Sequence, residues 1–234
     1  MQVQRFKDLE AVSRAGAEEL VQLARASNGP FHVALSGGST PKRMHEILAS
    51  MGREALPWER VVLWWGDERT VPPDHPDSNF GMAKRTLLDP LKLTRYFRME
   101  GERDPAAAAA DYEKRMLAEV GSPPALDLVF LGMGPDGHTA SLFPGTQALG
   151  AHDRWVVSNP VDSPVAKGKT VRITVTLALL AAAKRVRFLV AGPDKTHILP
   201  RALGTPSPEI PSSLVRGPDV AWFVDEVAAE ELPR

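Results

Sequence analysis

The residues best suited to chemistry lie in one stretch, Leu126 to Gly145 (LDLVFLGMGPDGHTASLFPG). Asp136 and His138 stand two positions apart in it, a carboxylate beside a side chain whose unperturbed proton affinity lies near neutrality. That pairing suits general acid–base work. The apolar run Leu128 to Leu131, bounded by turn signals, predicts a strand over Leu126–Leu131 covered on both faces, as in a parallel sheet. Gly132, Gly134 and Gly137 then let the backbone bend and approach a ligand closely. Asp136 and His138 therefore fall just beyond the carboxyl end of a strand, where open α/β sheets hold their ligands. The polar residues after the turn are expected to open a short helix.

Three other polar turns follow strand-like runs. Phe31 to Leu35 leads into Ser36-Gly37-Gly38-Ser39-Thr40-Pro41 and then a helix through Met44, Ile47 and Leu48. Gly38, Ser39 and Thr40 thus mark a helix start whose N–H groups suit a phosphate, although a tight turn with a hydroxyl cap explains the segment equally well. Arg60 to Trp65 ends in Gly66-Asp67-Glu68-Arg69. These charges read as a solvated loop on their own, and as site residues because they too follow a buried strand. Val186 to Val190 ends in Ala191-Gly192-Pro193-Asp194-Lys195, with a helix expected over Thr196–Leu203. A bare cation near a helix start is unfavourable unless it meets an anion, which points Lys195 towards phosphate. Arg172, in the alternating run Val171–Val175, reads on its own as a solvated charge.

Several chemistries fit poorly. Gly132-x-Gly134-x-x-Gly137 has the letters of a dinucleotide fingerprint, but no acidic residue ends the next strand, Trp155–Ser158, to take a ribose. No G-x-S-x-G marks a serine hydrolase. Asp136 and His138 are too few ligands to specify a metal. With no cysteine in the chain, thiol catalysis and thiolate metal sites are excluded. Acid–base chemistry on a phosphorylated small molecule remains, with His138 carrying the proton and Asp136 or Asp67 orienting it.

Strands and helices alternate along the chain, which predicts an α/β fold with an open, mostly parallel sheet and helices on both faces. Further strands are expected at Gln2–Phe6, Tyr96–Met99 and Val220–Val224. Helices are expected at Asp8–Ala26, from Asp104-Pro105 through Val120, at Leu177–Ala183 and after Asp225. Asn159 to Lys169 (NPVDSPVAKGK) reads as a turn-rich loop. The 234 residues, 43% hydrophobic and 24% charged, are expected to form a single domain over 1–234. A formal net charge of -1 gives no field to draw nucleic acid or an anionic membrane. The opening MQVQRFKDLE has no signal-peptide core, and no apolar run reaches spanning length. The expectation is a cytoplasmic protein acting on a small molecule, with a monomer as the expected state.

Taken together, LSGGSTP (Leu35–Pro41), GDER (Gly66–Arg69) with Val71–Asn79, LGMGPDGHTASLFPG (Leu131–Gly145), Arg172 in VRITVT and GPDK (Gly192–Lys195) resemble the 6-phosphogluconolactonase family, within the wider group that includes glucosamine-6-phosphate deaminases. The resemblance implies a Rossmann-like fold of the deaminase/lactonase type. It also implies hydrolysis of 6-phospho-D-glucono-1,5-lactone in the oxidative pentose phosphate pathway, with no cofactor and no metal. It makes His138 the base that activates water, Asp136 and Asp67 neighbouring carboxylates, and Arg69 a residue facing the substrate or its oxyanion. Gly38, Ser39, Thr40, Arg172 and Lys195 become the phosphate cradle. The deaminase branch carries a glutamate in a catalytic His–Glu pair where Phe143 stands here, which favours the lactonase. A deaminase/isomerase-like enzyme and a non-catalytic sugar-phosphate-binding module are the alternatives.

Overall fold

The computed structural model describes residues 2–233. Strand β1 (Gln2–Phe6) precedes helix α1 (Leu9–Ala26), and β2 (Phe31–Leu35) leads into α2 (Ser39–Ser50). Next come β3 (Val61–Trp65), the short β4 (Asp67–Arg69), and a helical run of α3 (Asn79–Ala83), a π-turn segment (Lys84–Leu88) and α4 (Asp89–Leu91). Helix α5 (Pro105–Val120) precedes β5 (Leu128–Leu131), after which β6 (Val156–Ser163) and β7 (Gly168–Val175) form a hairpin. The chain closes with α6 (Leu177–Ala182), β8 (Val186–Val190), α7 (Leu199–Leu203) and β9 (Val220–Asp225).

Side-chain caps set several helix starts. Asp8 accepts from the Ala11 N–H at 2.9 Å, and Asp104 accepts from the Ala107 N–H at 2.9 Å with Pro105 next to it. Ser78 accepts from the Gly81 N–H at 2.9 Å. Each cap pairs a donor that the helix cannot satisfy internally.

Six parallel strands make the main sheet in the order β1-β9-β8-β5-β2-β3. β2, β3, β5 and β8 are buried along their whole length, hence their mostly apolar runs, interrupted only by His32 in β2 and Arg187 in β8. Alternate residues feed two cores. Ala34, Trp64, Val129 and Leu131 face α5, α6 and α7, whereas Val33, Leu35, Trp65 and Phe130 face α1 and α2. From β2 the chain winds outward to β3, then restarts on β2's other side at β5 and winds the opposite way through β8 to β9. The reversal leaves a crevice between β2 and β5 at their carboxyl ends, where ligands bind in such sheets.

A second, antiparallel sheet, β4-β7-β6, packs against this edge. It was not expected: Asp67–Arg69 read as a turn and Asn159–Lys169 as a loop, yet both lie in its strands or hairpin. Pro160 pairs with Val171 in β6. β6 is an edge strand, where proline's missing N–H costs no ladder bond. Three smaller expectations also fail. The segment after His138 forms turns closed by a Thr139–Leu142 bridge rather than a helix, Tyr96 makes only an isolated bridge to Leu63, and the residues after Asp225 form turns. The helix expected at Thr196 begins at Leu199. No helix among the described residues is long and apolar enough to cross a membrane.

Candidate active site

The turns after β2, β3, β5 and β8 converge on a cavity of about 190 Å³ at the carboxyl edge of the main sheet. Its first wall is the turn from β2 into α2. Gly38 holds φ at +105°, and no side chain caps α2. Ser39 and Thr40 therefore present a helix start with unclaimed N–H capacity, suited to an anion. Thr40 is itself buried, and its carbonyl accepts from the Ser13 hydroxyl at 3.0 Å. Gly37 must lack a side chain, since a Cβ there would lie 2.1 Å from Asn79 Oδ1.

Asp67 and Arg69 of β4 make the second wall. Asp67 is buried, its Oδ1 accepts from Asn79 Nδ2 at 3.0 Å, and its Oδ2 accepts from the Ser141 hydroxyl at 2.6 Å. Arg69 donates through Nη1 to the Asp77 carbonyl. Arg172 sits directly across the ladder from Arg69 and lies outside the wall of this cavity. The Nε atoms of both arginines are buried without a hydrogen-bond partner. Burial, then the charge of Arg69, push the Arg172 guanidinium below its ordinary value. The carboxylates of Asp67, Asp77 and Glu68 pull the other way.

The third wall carries His138. Its Nδ1 lies 2.6 Å from Asp136 Oδ1, which also accepts from the His138 backbone N–H at 3.1 Å. Burial pushes the Asp136 carboxyl up, but the bond from His138 and its charge outweigh that and hold it below its ordinary value. An ionised Asp136 assigns the proton to Nδ1 and leaves Nε2 as the free lone pair. Gly137 takes φ +80°, and its carbonyl accepts from the Ser212 N–H at 2.9 Å, which pins the turn. Ala140, at φ +49°, reverses the chain so that His138 lines the cavity while Ser141 meets Asp67. The Phe143 ring stacks on the imidazole, centroids 4.1 Å apart and planes 17° from parallel.

Lys195 closes the cavity beyond β8. Its Nζ already meets an anion, Asp194 Oδ2 at 2.6 Å, so its neighbour answers the charge question posed by the sequence. The turn itself is fastened by Asp225, whose two carboxylate oxygens accept from the Gly192 N–H at 3.2 and 3.1 Å. Seven of the nine expected site residues thus line the cavity. Asp136 acts on it through His138, and Arg172 stands behind Arg69. Sequence reasoning missed Asn79 and Ser141, the two donors that fix Asp67. Among the described residues, no group of three or more His, Asp or Glu side chains is arranged to hold a metal ion.

Known proteins share this architecture. A family model described as glucosamine-6-phosphate isomerases/6-phosphogluconolactonase matches residues 7–222. A 6-phosphogluconolactonase of Synechocystis is 40% identical over 89% of this chain and 88% of its own. One from Haemophilus influenzae is 34% identical over 88% and 89%. The solved structure of 6-phosphogluconolactonase from Trypanosoma cruzi superposes with a TM-score of 0.88 at 30% identity, covering 100% of this chain and 97% of that one. A monomeric glucosamine-6-phosphate deaminase shares the fold at a TM-score of 0.85 and 20% identity. With a match that runs from just before α1 into β9 and takes in all four converging turns, the chain belongs to the glucosamine-6-phosphate isomerase/6-phosphogluconolactonase family.

Proposed function

We propose that this protein hydrolyses 6-phospho-D-glucono-1,5-lactone to 6-phosphogluconate, a step of the oxidative pentose phosphate pathway. The observation that carries the reading is the Asp136–His138 pair at 2.6 Å, set in a cavity that a helix start and Arg69 also line. Such a cavity brings an anion-binding helix start and a general base to one space. The names and the 34–40% identity of the relatives support the same substrate.

The reaction follows from the groups present. His138 Nε2 takes a proton from water as the oxygen attacks the lactone carbonyl carbon. Negative charge moves to the carbonyl oxygen, where the Arg69 guanidinium is suited to meet it. When the intermediate collapses, the bond from that carbon to the ring oxygen breaks, and the imidazolium returns its proton to the departing oxygen. Asp136 holds the tautomer and offsets the charge on the ring. Gly38, Ser39, Thr40 and Arg172 draw the phosphate, with Lys195 closing that end. Residues 1–234 act in this reading as one catalytic domain and as a monomer on a small molecule, without nucleic acid, membrane or cofactor. Phe143 supports hydrolysis over deamination, since amine expulsion with isomerisation needs further proton transfers that a phenylalanine cannot serve.

The test is the decay of lactone generated in situ, followed with and without chelator-treated protein and corrected for spontaneous opening. Acceleration is expected, and His138→Ala should lower kcat by about two to four orders of magnitude with the fold intact. No acceleration by the wild-type protein would sink the reading.

A further inference from the structure

The base needs its ring plane held as well as its Nδ1 proton. One hydrogen bond to Asp136 fixes a distance but leaves the imidazole free to swing about it. Two contacts remove that freedom. Phe143 covers the imidazole, with ring centroids 4.1 Å apart and planes 17° from parallel. At the Nδ1–Cε1 edge there is no room for a side chain, since a Cβ on Gly134 would fall 2.0 Å from Nδ1 and 2.1 Å from Cε1. The imidazole is therefore confined between a phenyl face and a bare stretch of backbone.

Phe143 is itself fixed from elsewhere. It is 4% exposed and forms a small apolar cluster with Val161 of β6 and Ala166 at the hairpin tip. This cluster stands apart from the two main cores, so it does not serve the packing of the main sheet. Two site residues meet it: His138 stacks on Phe143, and Arg172 Nη2 donates to the Ala166 carbonyl at 3.4 Å. The phenyl face also shields that side of the ring from competing hydrogen-bond donors, and its negative π-surface attracts the charge the imidazole gains when it takes a proton.

We infer that Phe143, seated by the β6–β7 hairpin, is a positioning residue that holds the His138 ring plane, so that Nδ1–H stays on Asp136 and Nε2 stays towards the substrate. The inference rests on the lactonase reading for its kinetic consequence alone; the ring geometry can be measured without turnover.

The experiment compares wild type, Phe143→Leu and Phe143→Tyr by two readouts: imidazole nitrogen-15 resonances, with His138 assigned by difference against His138→Ala, and steady-state lactone hydrolysis. Wild type should show one His138 tautomer protonated at Nδ1. Phe143→Leu keeps an apolar side chain but removes the plane. It should give a mixture of tautomers and lower kcat by roughly tenfold to a hundredfold, with KM within about twofold of wild type. Phe143→Tyr, which keeps the ring, should restore the single tautomer and most of kcat. A Phe143→Leu protein with the wild-type tautomer would overturn the inference, whether its kcat is unchanged or falls only in step with its Tm. So would a change confined to KM, which would make Phe143 a wall for substrate instead. Should Phe143→Leu fail to fold, Val161→Ala loosens the seat and leaves the ring. It should then shift the tautomer ratio in the same direction, and an unchanged ratio would overturn the inference. If wild type hydrolyses no lactone, the functional reading fails while the tautomer comparison still decides the role of Phe143.

Discussion

Asp67 illustrates how a side chain can be obvious in the sequence while its setting is not. It follows a buried strand, which is enough to nominate it. What fixes it is a hydroxyl 74 positions away: Ser141 donates to Oδ2 at 2.6 Å, and Asn79 donates to Oδ1 at 3.0 Å. Ser141 is 1% exposed, so no water can replace its hydroxyl without rearrangement. Ser141→Ala should leave a buried carboxylate oxygen unpaired and cost about 1–3 kcal/mol of stability. Thermal or denaturant unfolding reads that cost, and a loss below about 0.5 kcal/mol would mean Asp67 finds another donor. The same reasoning explains which site residues could be read in advance. Asp136 and His138 belong to one tight turn, so local spacing brings them together. Asn79 and Ser141 carry no such signal, because an asparagine at a helix start and a serine in a turn are ordinary until the fold supplies Asp67. Lys195 was legible as a cation in want of an anion, but the anion that the structure gives it is its own neighbour, Asp194.

At the scale of elements, the second sheet turns a row of separate turns into one wall. Its link to the helical run at α3 is Glu68. One carboxylate oxygen accepts from the Arg69 and Asn79 N–H groups at 2.8 Å each, and the other from the Ser78 hydroxyl at 3.0 Å and the Phe80 N–H at 2.8 Å. Burial pushes this carboxyl up, the backbone donors pull against it, and burial prevails. By gripping the start of α3, Glu68 sets Asn79 over Asp67. Glu68→Gln places an amide against donors that need an acceptor. It should destabilise the protein by about 1–3 kcal/mol and lower lactone turnover without touching substrate. A variant with wild-type Tm and kcat would show that α3 is held by other contacts. Strands β3 and β5 were legible because each is apolar end to end, and β2, β8 and β9 because apolar residues dominate them. The antiparallel sheet was hidden by its composition: Pro160 and Pro164 with Gly168 imitate a loop, and only the edge position of β6 makes proline acceptable there. The reversal at β2 and β5 was not legible either, since strand order depends on contacts that no single segment contains.

For the molecule as a whole, α2 ties the site to global stability. Its first turn forms the anion-binding wall, and one turn further on His45 lies wholly in the interior, with Nε2 buried and without a hydrogen-bond partner. Its other nitrogen has only a long contact, 3.4 Å, to the Thr86 hydroxyl. Burial pushes this imidazole down to about 4, whereas in the unfolded chain it titrates near 6.5. The folded state therefore requires His45 neutral. As the pH falls below about 6.5 the unfolded chain takes up a proton that the folded chain refuses, so stability declines until the folded form also protonates near 4. Across that window the loss from this one group is roughly 3 kcal/mol, a large share of what a domain of this kind commonly has. Denaturant unfolding of wild type and His45→Leu at several values between pH 7 and pH 4 separates this contribution from the carboxylates. The leucine variant should lose distinctly less stability across the window, whatever its stability at pH 7. Parallel curves would place the acid sensitivity elsewhere. If the slope belongs to His45, mild acid should weaken the helix that carries Ser39 and Thr40. Phosphate binding and global stability would then fail together, on a pH scale set in the core.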